Sequence, residues 1–169
     1  MAVQFTYVPI AAQTISSATS SVTFSSIPST YQDLVVVGSV KLTTGANSGM
    51  GIRFNNDSGS NYSYTILEGN GSSASSNRYS NQAYGTFAGS YAEPEAANTF
   101  APHTLHLLNY ANTSTYKTHL IRWGNAGNAT TAAVNLWRST AAVNTISIYA
   151  YAGNIDAGST FTLYGLAAA

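Results

Sequence analysis

The stretch RFNNDSGSNYSYTILEGNG, from Arg53 to Gly71, holds the best candidate for a metal-binding loop in this chain. Asp57 and three neighbouring asparagines offer the oxygen ligands that Ca²⁺ prefers, but a calcium site normally uses several carboxylates and this loop has one. The same residues are typical of a tight turn between two strands. We therefore predict a hairpin with Asp57 at its tip, and no bound metal.

Histidine is the second residue type that suggests a metal, because His103 and His106 form an H-x-x-H pair and His119 follows on a later segment. Residues three apart on a strand point to opposite faces, so the pair would not converge on one ion. The chain contains no cysteine that could complete a zinc site. We expect packed or surface histidines.

Two carboxylates, Glu93 and Glu95, flank a proline, and an extended chain separates them by about 7 Å, close to the carboxyl spacing of some glycosidases. A glycosidase pair comes from opposite sides of a sugar cleft, however, whereas these two lie on one loop. The G-x-S-x-G motif of many serine hydrolases is absent from the sequence. The sequence therefore predicts neither an enzyme nor a cofactor.

Aromatic residues are abundant, with twelve tyrosines and two tryptophans. Such side chains favour protein cores and interfaces, because each carries a large apolar area and one polar group. On a β-sandwich they can also stack on sugar rings. We favour the interpretation that the aromatic residues form the core and a subunit interface. The candidates for contacting a glycan are the tyrosines near predicted loops: Tyr62, Tyr64, Tyr79, Tyr84 and Tyr91.

The composition suits one folded domain of 169 residues that tends to associate. Charged residues make up only 7% of the chain, against roughly 25% in an average soluble protein. Six basic and six acidic residues cancel, so the chain lacks the positive charge with which proteins neutralise nucleic-acid phosphates. The chain is therefore not expected to bind nucleic acid. Because a net charge near zero protects poorly against association, we expect the chain to be a subunit of a stable assembly.

The amino terminus has no cationic region followed by an apolar run, so it does not predict a secretory signal. No segment approaches the run of about 18 apolar residues that a membrane helix needs. We expect a soluble protein that is made in the cytoplasm and has no membrane partner.

Alternation of apolar and polar residues dominates the chain and predicts β-strands. In DLVVVGSVKL, from Asp33 to Leu42, both faces begin apolar, which predicts a central strand. Similar short segments recur at intervals of about eight to a dozen residues, separated by clusters rich in Gly, Asn and Ser. The sequence thus predicts an all-β fold: a single-domain antiparallel β-sandwich, jelly-roll-like.

Four segments are less regular. We predict strand structure for TAAVNLWRSTAAVNTI, although its alanines also permit a helix, and loops for Gly69 to Gln82 and Gly89 to Pro102. Residues 1–12 are predicted to be a non-strand N-terminal arm before a sandwich domain of residues 13–169. The arm would contact a neighbouring subunit or the capsid shell through Phe5, Tyr7, Val8 and Pro9. The alternative is that the arm is a frayed terminus.

Five phrases of the sequence, occurring in order, resemble small virion structural proteins of tailed bacteriophages, including phages of cyanobacteria. The resemblance runs from about Ile15 to Leu166 and therefore covers nearly the whole chain. The phrases are SSVTFSSIPSTYQDLVVVG, RFNNDSGSNYSYT, NYANTSTYKTHLIRWG, LWRSTAAVNTISIYAYAGN and AGSTFTLYGL.

The resemblance implies a jelly-roll-like domain in a cyclic oligomer, most often a homotrimer, without catalytic residues. Similar domains occur as capsid decoration (cement) proteins, which bind the major capsid protein, and as tail-fibre or receptor-binding parts, which bind host surface glycans. We favour decoration of the capsid exterior, because the chain begins at Met1, is predicted to form one domain, and shows neither heptads nor collagen-like repeats.

Overall fold

The computed structural model describes residues 6–43, 49–89 and 99–167. Within these ranges the chain forms twelve β-strands and no helix. In chain order the strands are β1 (Tyr7–Thr14), β2 (Ser21–Phe24), β3 (Asp33–Val40), β4 (Met50–Phe54), β5 (Tyr62–Gly69), β6 (Ala74–Gln82), β7 (Gly85–Ala88), β8 (Ala101–Leu108), β9 (Lys117–Asn125), β10 (Ala129–Trp137), β11 (Ile146–Ala150) and β12 (Thr160–Leu166).

The strands form two antiparallel sheets. The larger has eight strands in the order β1-β12-β3-β8-β9-β10-β5-β6, and the smaller has four in the order β2-β11-β4-β7. The chain passes repeatedly from one sheet to the other, as it does in jelly rolls. The predicted all-β, jelly-roll-like antiparallel sandwich is confirmed.

The core lies between the two sheets and follows from strict alternation along the strands. In β9 and β10 every second side chain is buried. A row of inward side chains crosses the larger sheet through Val36, Leu105, Ile121 and Ala133. Because a one-residue slip would turn all of these side chains toward solvent, the pattern determines the register strongly.

Strand β3 lies between β12 and β8, so the predicted central strand is confirmed. Leu34 and Val35, which point to opposite faces, are 0% and 4% exposed. The exposure of Val37, at 43%, shows that the outer face opens toward solvent farther along the strand.

The segment TAAVNLWRSTAAVNTI contains β10 up to Trp137 and the first residue of β11 at Ile146, so the strand prediction is confirmed for these parts. It is wrong for residues 138–145, which form neither strand nor helix. The loop predicted for Gly69 to Gln82 is wrong for most of its length, because β6 occupies Ala74–Gln82. Strand β6 is an edge strand that pairs only with β5, and its side chains are almost all exposed. A strand that buries neither face shows no hydrophobic alternation, and the sequence pattern therefore missed it.

The non-strand start is also wrong for residues 7–12, which belong to β1. Strand β1 pairs with β12 at the other end of the chain, a partner that local sequence does not indicate. Its position at the sheet edge tolerates Pro9, which has no backbone N–H to donate. The predicted boundary between arm and sandwich after residue 12 falls inside this strand.

The hairpin predicted for Arg53 to Gly71 is wrong as well. Strand β4 belongs to the smaller sheet and β5 to the larger, so the loop of residues 55–61 crosses from one layer to the other. Asn55 and Asn56 both adopt positive φ, 52° and 58°, which asparagine tolerates better than most residues. The turn residues were recognised correctly, but the strands that they join are not partners.

Gly165 on β12 lies directly beneath the ring of Tyr31, and a Cβ at this position would come within 2.3 Å of Tyr31 Cγ. We expect Gly165→Val to displace the ring and lower the free energy of unfolding by about 1–3 kcal/mol, as overpacking does. Urea unfolding measures the change. Gly69→Ala is the control, because no heavy atom lies within 4 Å of its added Cβ; equal losses in the two variants would contradict the steric explanation.

Candidate interaction surface

The outer face of the eight-stranded sheet carries a continuous set of side chains that the strand register brings together. We call the residues of two adjacent cross-strand rows on this side the sheet face. The first row contains Pro9, Tyr164, Val35, His106, Leu120, Val134, Thr65 and Arg78. The second contains Thr162, Val37, Thr104, Arg122, Ala132, Leu67 and Ser76.

The middle of the sheet face is apolar and open to solvent. Leu67, Leu120, Val134 and Val37 are 60%, 52%, 48% and 43% exposed. Leu120 pairs directly with Val134, and Ala132 pairs with Leu67, so these side chains form one patch. Single exposed apolar residues are ordinary, whereas a contiguous patch indicates an interaction site.

A groove of about 600 Å³ runs over this patch. Its lining includes Val35, Leu67, Leu120 and Val134 from the sheet face and Tyr7 from edge strand β1. Tyr7 is 53% exposed, and its ring meets that of Tyr164 edge to face at a centroid distance of 6.0 Å. The groove therefore extends the apolar patch to the edge of the sheet.

The charges on the sheet face do not balance. Arg78 and Arg122 make no ion pair with any other residue in the described part of the chain. The nearby carboxylate of Asp33 is already engaged, because it accepts a hydrogen bond from the backbone N–H of Asn109 at 2.7 Å and contacts His106 Nε2 at 3.0 Å. The face thus combines an apolar centre with two unpaired cations.

A second depression, of about 730 Å³, adjoins the groove and shares Thr104 and Arg122 with it. The β5–β6 and β9–β10 turns form its far wall together with Phe100. The first of these turns is held by Asn70 Oδ1, which accepts hydrogen bonds from the backbone of Ser72 and Ser73 at 3.0 and 2.8 Å. The sheet face therefore ends in a polar rim, as protein interfaces commonly do.

The predicted arm anchors have different positions. Tyr7 and Pro9 point to the outer side of the sheet, and Tyr7 lines the groove. Val8 points the other way on the same strand and is half-buried. Phe5 lies outside the described residues.

The predicted loop tyrosines fall into two groups. Tyr62 is fully buried and stacks on Trp137 at 6.2 Å, so it belongs to the core rather than to a loop surface. Tyr64 and Tyr79 contact each other at 4.9 Å where β5 and β6 extend past the smaller sheet, and Tyr84 lies beside them at the start of β7. Tyr91 lies outside the described residues.

Two tyrosines that the sequence analysis missed, Tyr149 and Tyr151, complete this cluster. Tyr84 lies 6.1 Å from Tyr149 and 5.0 Å from Tyr151. Both missed rings lie over Gly51 on β4, where a Cβ would come within 2.6 Å of Tyr149 Cζ. The alternation in SIYAY, which places the two tyrosines on one face, was the signal available in the sequence.

The tyrosine cluster is packed rather than hollow. Its ring centroids are only 5–6 Å apart, and the Arg53 guanidinium already lies 4.9 Å above the Tyr149 ring. Burial raises the pKa values of Tyr64, Tyr149 and Tyr151, so the phenols stay neutral near pH 7. Tyr79 and Tyr151, 41% and 39% exposed, are the rings that remain available to a flat ligand.

Asp57 holds the loop between β4 and β5 and does not have the free oxygens of a metal ligand. Its Oδ2 accepts hydrogen bonds from Trp137 Nε1 at 2.7 Å and from Asn61 Nδ2 at 2.8 Å. Its Oδ1 accepts one from the backbone of Gly59 at 2.8 Å. Partial burial acts to raise the pKa of Asp57, but these donors, Trp137 foremost, outweigh it and hold the pKa below 3.8.

The histidines of the H-x-x-H pair point to opposite faces of β8, as predicted. His103 is buried and stacks on Phe87 at 5.3 Å, whereas His106 faces outward toward Asp33. His119 is buried on β9. No group of three or more His, Asp or Glu side chains converges among residues 6–43, 49–89 and 99–167; Glu93 and Glu95 lie outside these ranges.

The part of the chain that the structure describes contains no helix that could cross a membrane.

The key residues of the sheet face also escaped the sequence analysis. In YKTHLIRW the inward side chains are His119, Ile121 and Trp123, and Leu120 and Arg122 alternate with them toward solvent. An apolar residue at an outward position of a strand is the local signal for such a surface. Only the pairing with β10 and β5 shows that several of these positions are adjacent.

Comparisons with known proteins identify no family. No protein-family model and no curated protein matches the chain. Among solved structures, a Caenorhabditis elegans galectin, LEC-6, is 9% identical, with 93% of this chain and 96% of that chain covered and a TM-score of 0.35. Scytalido-glutamic peptidase, solved with a peptide-based transition state analogue, is 10% identical over 90% of this chain and 66% of that chain, with a TM-score of 0.28. Likenesses this weak carry no argument about function.

Proposed function

We propose that this chain is a virion structural protein of a tailed bacteriophage that decorates the outside of the capsid shell and stabilises contacts between capsomers. It is made in the host cytoplasm, assembles as a homotrimer and binds the major capsid protein. The sequence phrases that resemble virion proteins suggest that this chain is part of a phage particle. The observation that carries the proposal is the exposed apolar patch of the sheet face on a β-sandwich of zero net charge.

The proposed mechanism is mechanical and involves no catalysis. A decoration protein seated where capsomers meet buries roughly 800 Å² on each contact. Separating the capsomers under the pressure of a packaged genome then requires breaking these contacts first. An apolar face suits this role, because burying it stabilises the contact without any chemical step.

The alternative is a receptor-binding or glycan-binding module of the phage tail. The tyrosine cluster is the observation that favours it. Two of its rings are exposed: Tyr79, which packs against Tyr64, and Tyr151, which packs against Tyr84. Their rings would stack on a sugar of the host surface.

The number of copies on purified particles distinguishes the two functions. We expect a ratio to the major capsid protein between one-to-one and one-to-a-few, measured by quantitative mass spectrometry. A ratio below about one in twenty would contradict decoration and support the tail, where closed cyclic assemblies contain few copies.

Attachment to the particle should depend only weakly on salt. The net charge of the chain is zero, so little long-range attraction is available for salt to screen. We expect the amount of bound protein to change little between about 0.1 and 1 M NaCl, a range over which exposed ion pairs are screened strongly. Steep release over this range, measured after sedimenting the particles, would contradict an apolar attachment.

A further inference from the structure

We propose that the sheet face is the side through which this chain docks, and that its occupant is a protein surface that is apolar and presents a carboxylate to Arg122. This inference rests on the proposed function, in which that surface belongs to the capsid shell. It deepens that function by assigning the docking side and the chemistry of the partner.

The size of the face fits a stable interface. Eight strands about 4.8 Å apart and about eight residues long, at about 3.3 Å per residue, span roughly 1,000 Å². A standard interface buries about 800 Å² on each partner. The outer side of the whole eight-stranded sheet, of which the sheet face is the central part, is therefore large enough, without any contribution from the tyrosine cluster.

The arrangement of polarity also fits. The apolar patch of Leu120, Val134 and Leu67 lies across the middle strands, while the Asn-rich turns of the second depression lie at one end. Interfaces have this organisation, with a core depleted of charge and a polar rim. Arg122 lies between the two regions and borders both depressions.

Charge argues against a second copy as the occupant. Two copies packed face to face would bury both Arg122 side chains in one interface to which the sheet face adds no free carboxylate. The nearest carboxylate on the face, Asp33, is already engaged by Asn109 and His106. Burying charges without partners is strongly unfavourable, whereas arginine paired with a carboxylate is well suited to an interface.

The two arginines have different expected roles. Arg122 lies on central strand β9 beside Ala132 and Thr104, where a docked partner would exclude water. Arg78 lies on edge strand β6, at the rim. A charge at the centre affects how long a complex lasts, and a charge at the rim mainly affects how fast it forms.

Binding of the purified protein to particles from which it has been stripped tests the inference. We expect Arg122→Gln to reduce affinity at least about thirtyfold, since removing one partner of a desolvated ion pair has an effect of this size. We expect a loss of similar size for Leu120→Glu, because docking would bury a carboxylate in the apolar patch. Arg122→Lys should recover part of the loss. Circular dichroism and thermal melting confirm that each variant is folded.

Matched controls are available off the sheet face. Ser21→Glu adds a carboxylate at an exposed position of β2 in the smaller sheet, and Lys41→Gln removes one cation from a partly exposed ion pair with Asp156. Both should bind stripped particles like the wild type. If the controls lose as much affinity as the sheet-face variants, general charge and not the face is responsible, and the inference is overturned.

The remaining outcomes separate the inference from the proposed function. Binding by the wild type together with undiminished binding by Leu120→Glu and Arg122→Gln would overturn the docking side but leave decoration intact. Failure of the wild type to bind stripped particles would overturn both. Analytical ultracentrifugation of the wild type and Leu120→Glu tests the oligomer. If Leu120→Glu dissociates it, the occupant is a second copy and the inference is overturned. If the oligomer is unchanged in Leu120→Glu, the inference is supported.

Discussion

Replacing Asp57 by alanine is expected to lower the free energy of unfolding by about 3 kcal/mol, since hydrogen bonds to charged groups contribute about 1.5–3 kcal/mol each. The substitution removes the acceptor of three N–H groups, from Trp137, Asn61 and Gly59. The indole N–H would then be left without a partner on a side chain that is only 2% exposed. The loop that carries the chain from the smaller to the larger sheet would lose its central anchor at the same time.

Urea unfolding measures this loss, and two variants help to interpret it. Asp57→Asn keeps the shape but replaces one acceptor oxygen by a donor, so we expect an intermediate effect. Asp156→Ala removes a carboxylate whose ion pair with Lys41 lies at the surface with the two side chains 22% and 27% exposed, and surface pairs contribute little. If Asp57→Ala were no more damaging than Asp156→Ala, the carboxylate would not anchor the loop.

Acidification from about pH 6.5 to pH 4 is expected to destabilise the protein through its two buried histidines, His103 and His119. Burial lowers the pKa of His103 to about 4, against the opposing effect of its hydrogen bond to the carbonyl of Ala101, and lowers the pKa of His119 to about 3. In the unfolded chain both would titrate near 6.5. Between these values the unfolded state binds protons that the folded state excludes, so stability falls as the pH falls.

The expected loss is on the order of 3 kcal/mol for each histidine, because one unit of pKa shift corresponds to about 1.4 kcal/mol. Free energies of unfolding at pH 7, 5.5 and 4 measure it. His103→Gln and His119→Gln should each flatten the profile above pH 4, because each removes one imidazole that is buried in the folded state. A flat wild-type profile from pH 6.5 to 4.5 would contradict the exclusion of protons from these sites.

Asp57 adds a separate effect at lower pH. Its folded-state pKa is lowered below 3.8, so its contribution is complete above the unfolded value and is lost only as the pH falls below it. The histidine and aspartate contributions therefore occupy different parts of the acid profile. In Asp57→Ala we expect the loss between pH 6.5 and 4 to persist and the further loss below pH 3.8 to shrink.

The sequence predicted the elements that bury one face. In β9 and β10 each inward residue is followed by an outward one. The sequence analysis predicted strands for both segments, the second from its Val, Asn and Thr content. The edge strands β1 and β6 were missed for the opposite reason. Strand β6 buries almost nothing, and β1 is only half-buried, so neither has a clear pattern to detect.

The candidate surface could not be predicted to the same extent. Leu67, Leu120 and Val134 are single outward apolar residues on three strands, and each is unremarkable alone. They become one patch because β9 pairs with β10 and β10 with β5 in a particular register. Backbone hydrogen bonds between strands are nearly the same for any sequence, so the local sequence does not indicate which strands will be neighbours in the sheet.

By itself, the sequence determined the local features of this protein: the strand segments of the core, their inward faces and the turns with asparagine at positive φ. These depend on steric preferences within a residue and on the two-residue period of a strand, which are local properties. The tertiary structure alone decided that residues 55–61 cross between the sheets, that Tyr84 meets Tyr149 and Tyr151, and that Arg122 lies beside an apolar patch with no ion-pair partner in the described part of the chain. Those features depend on contacts between distant segments, which form only when the whole core is buried together.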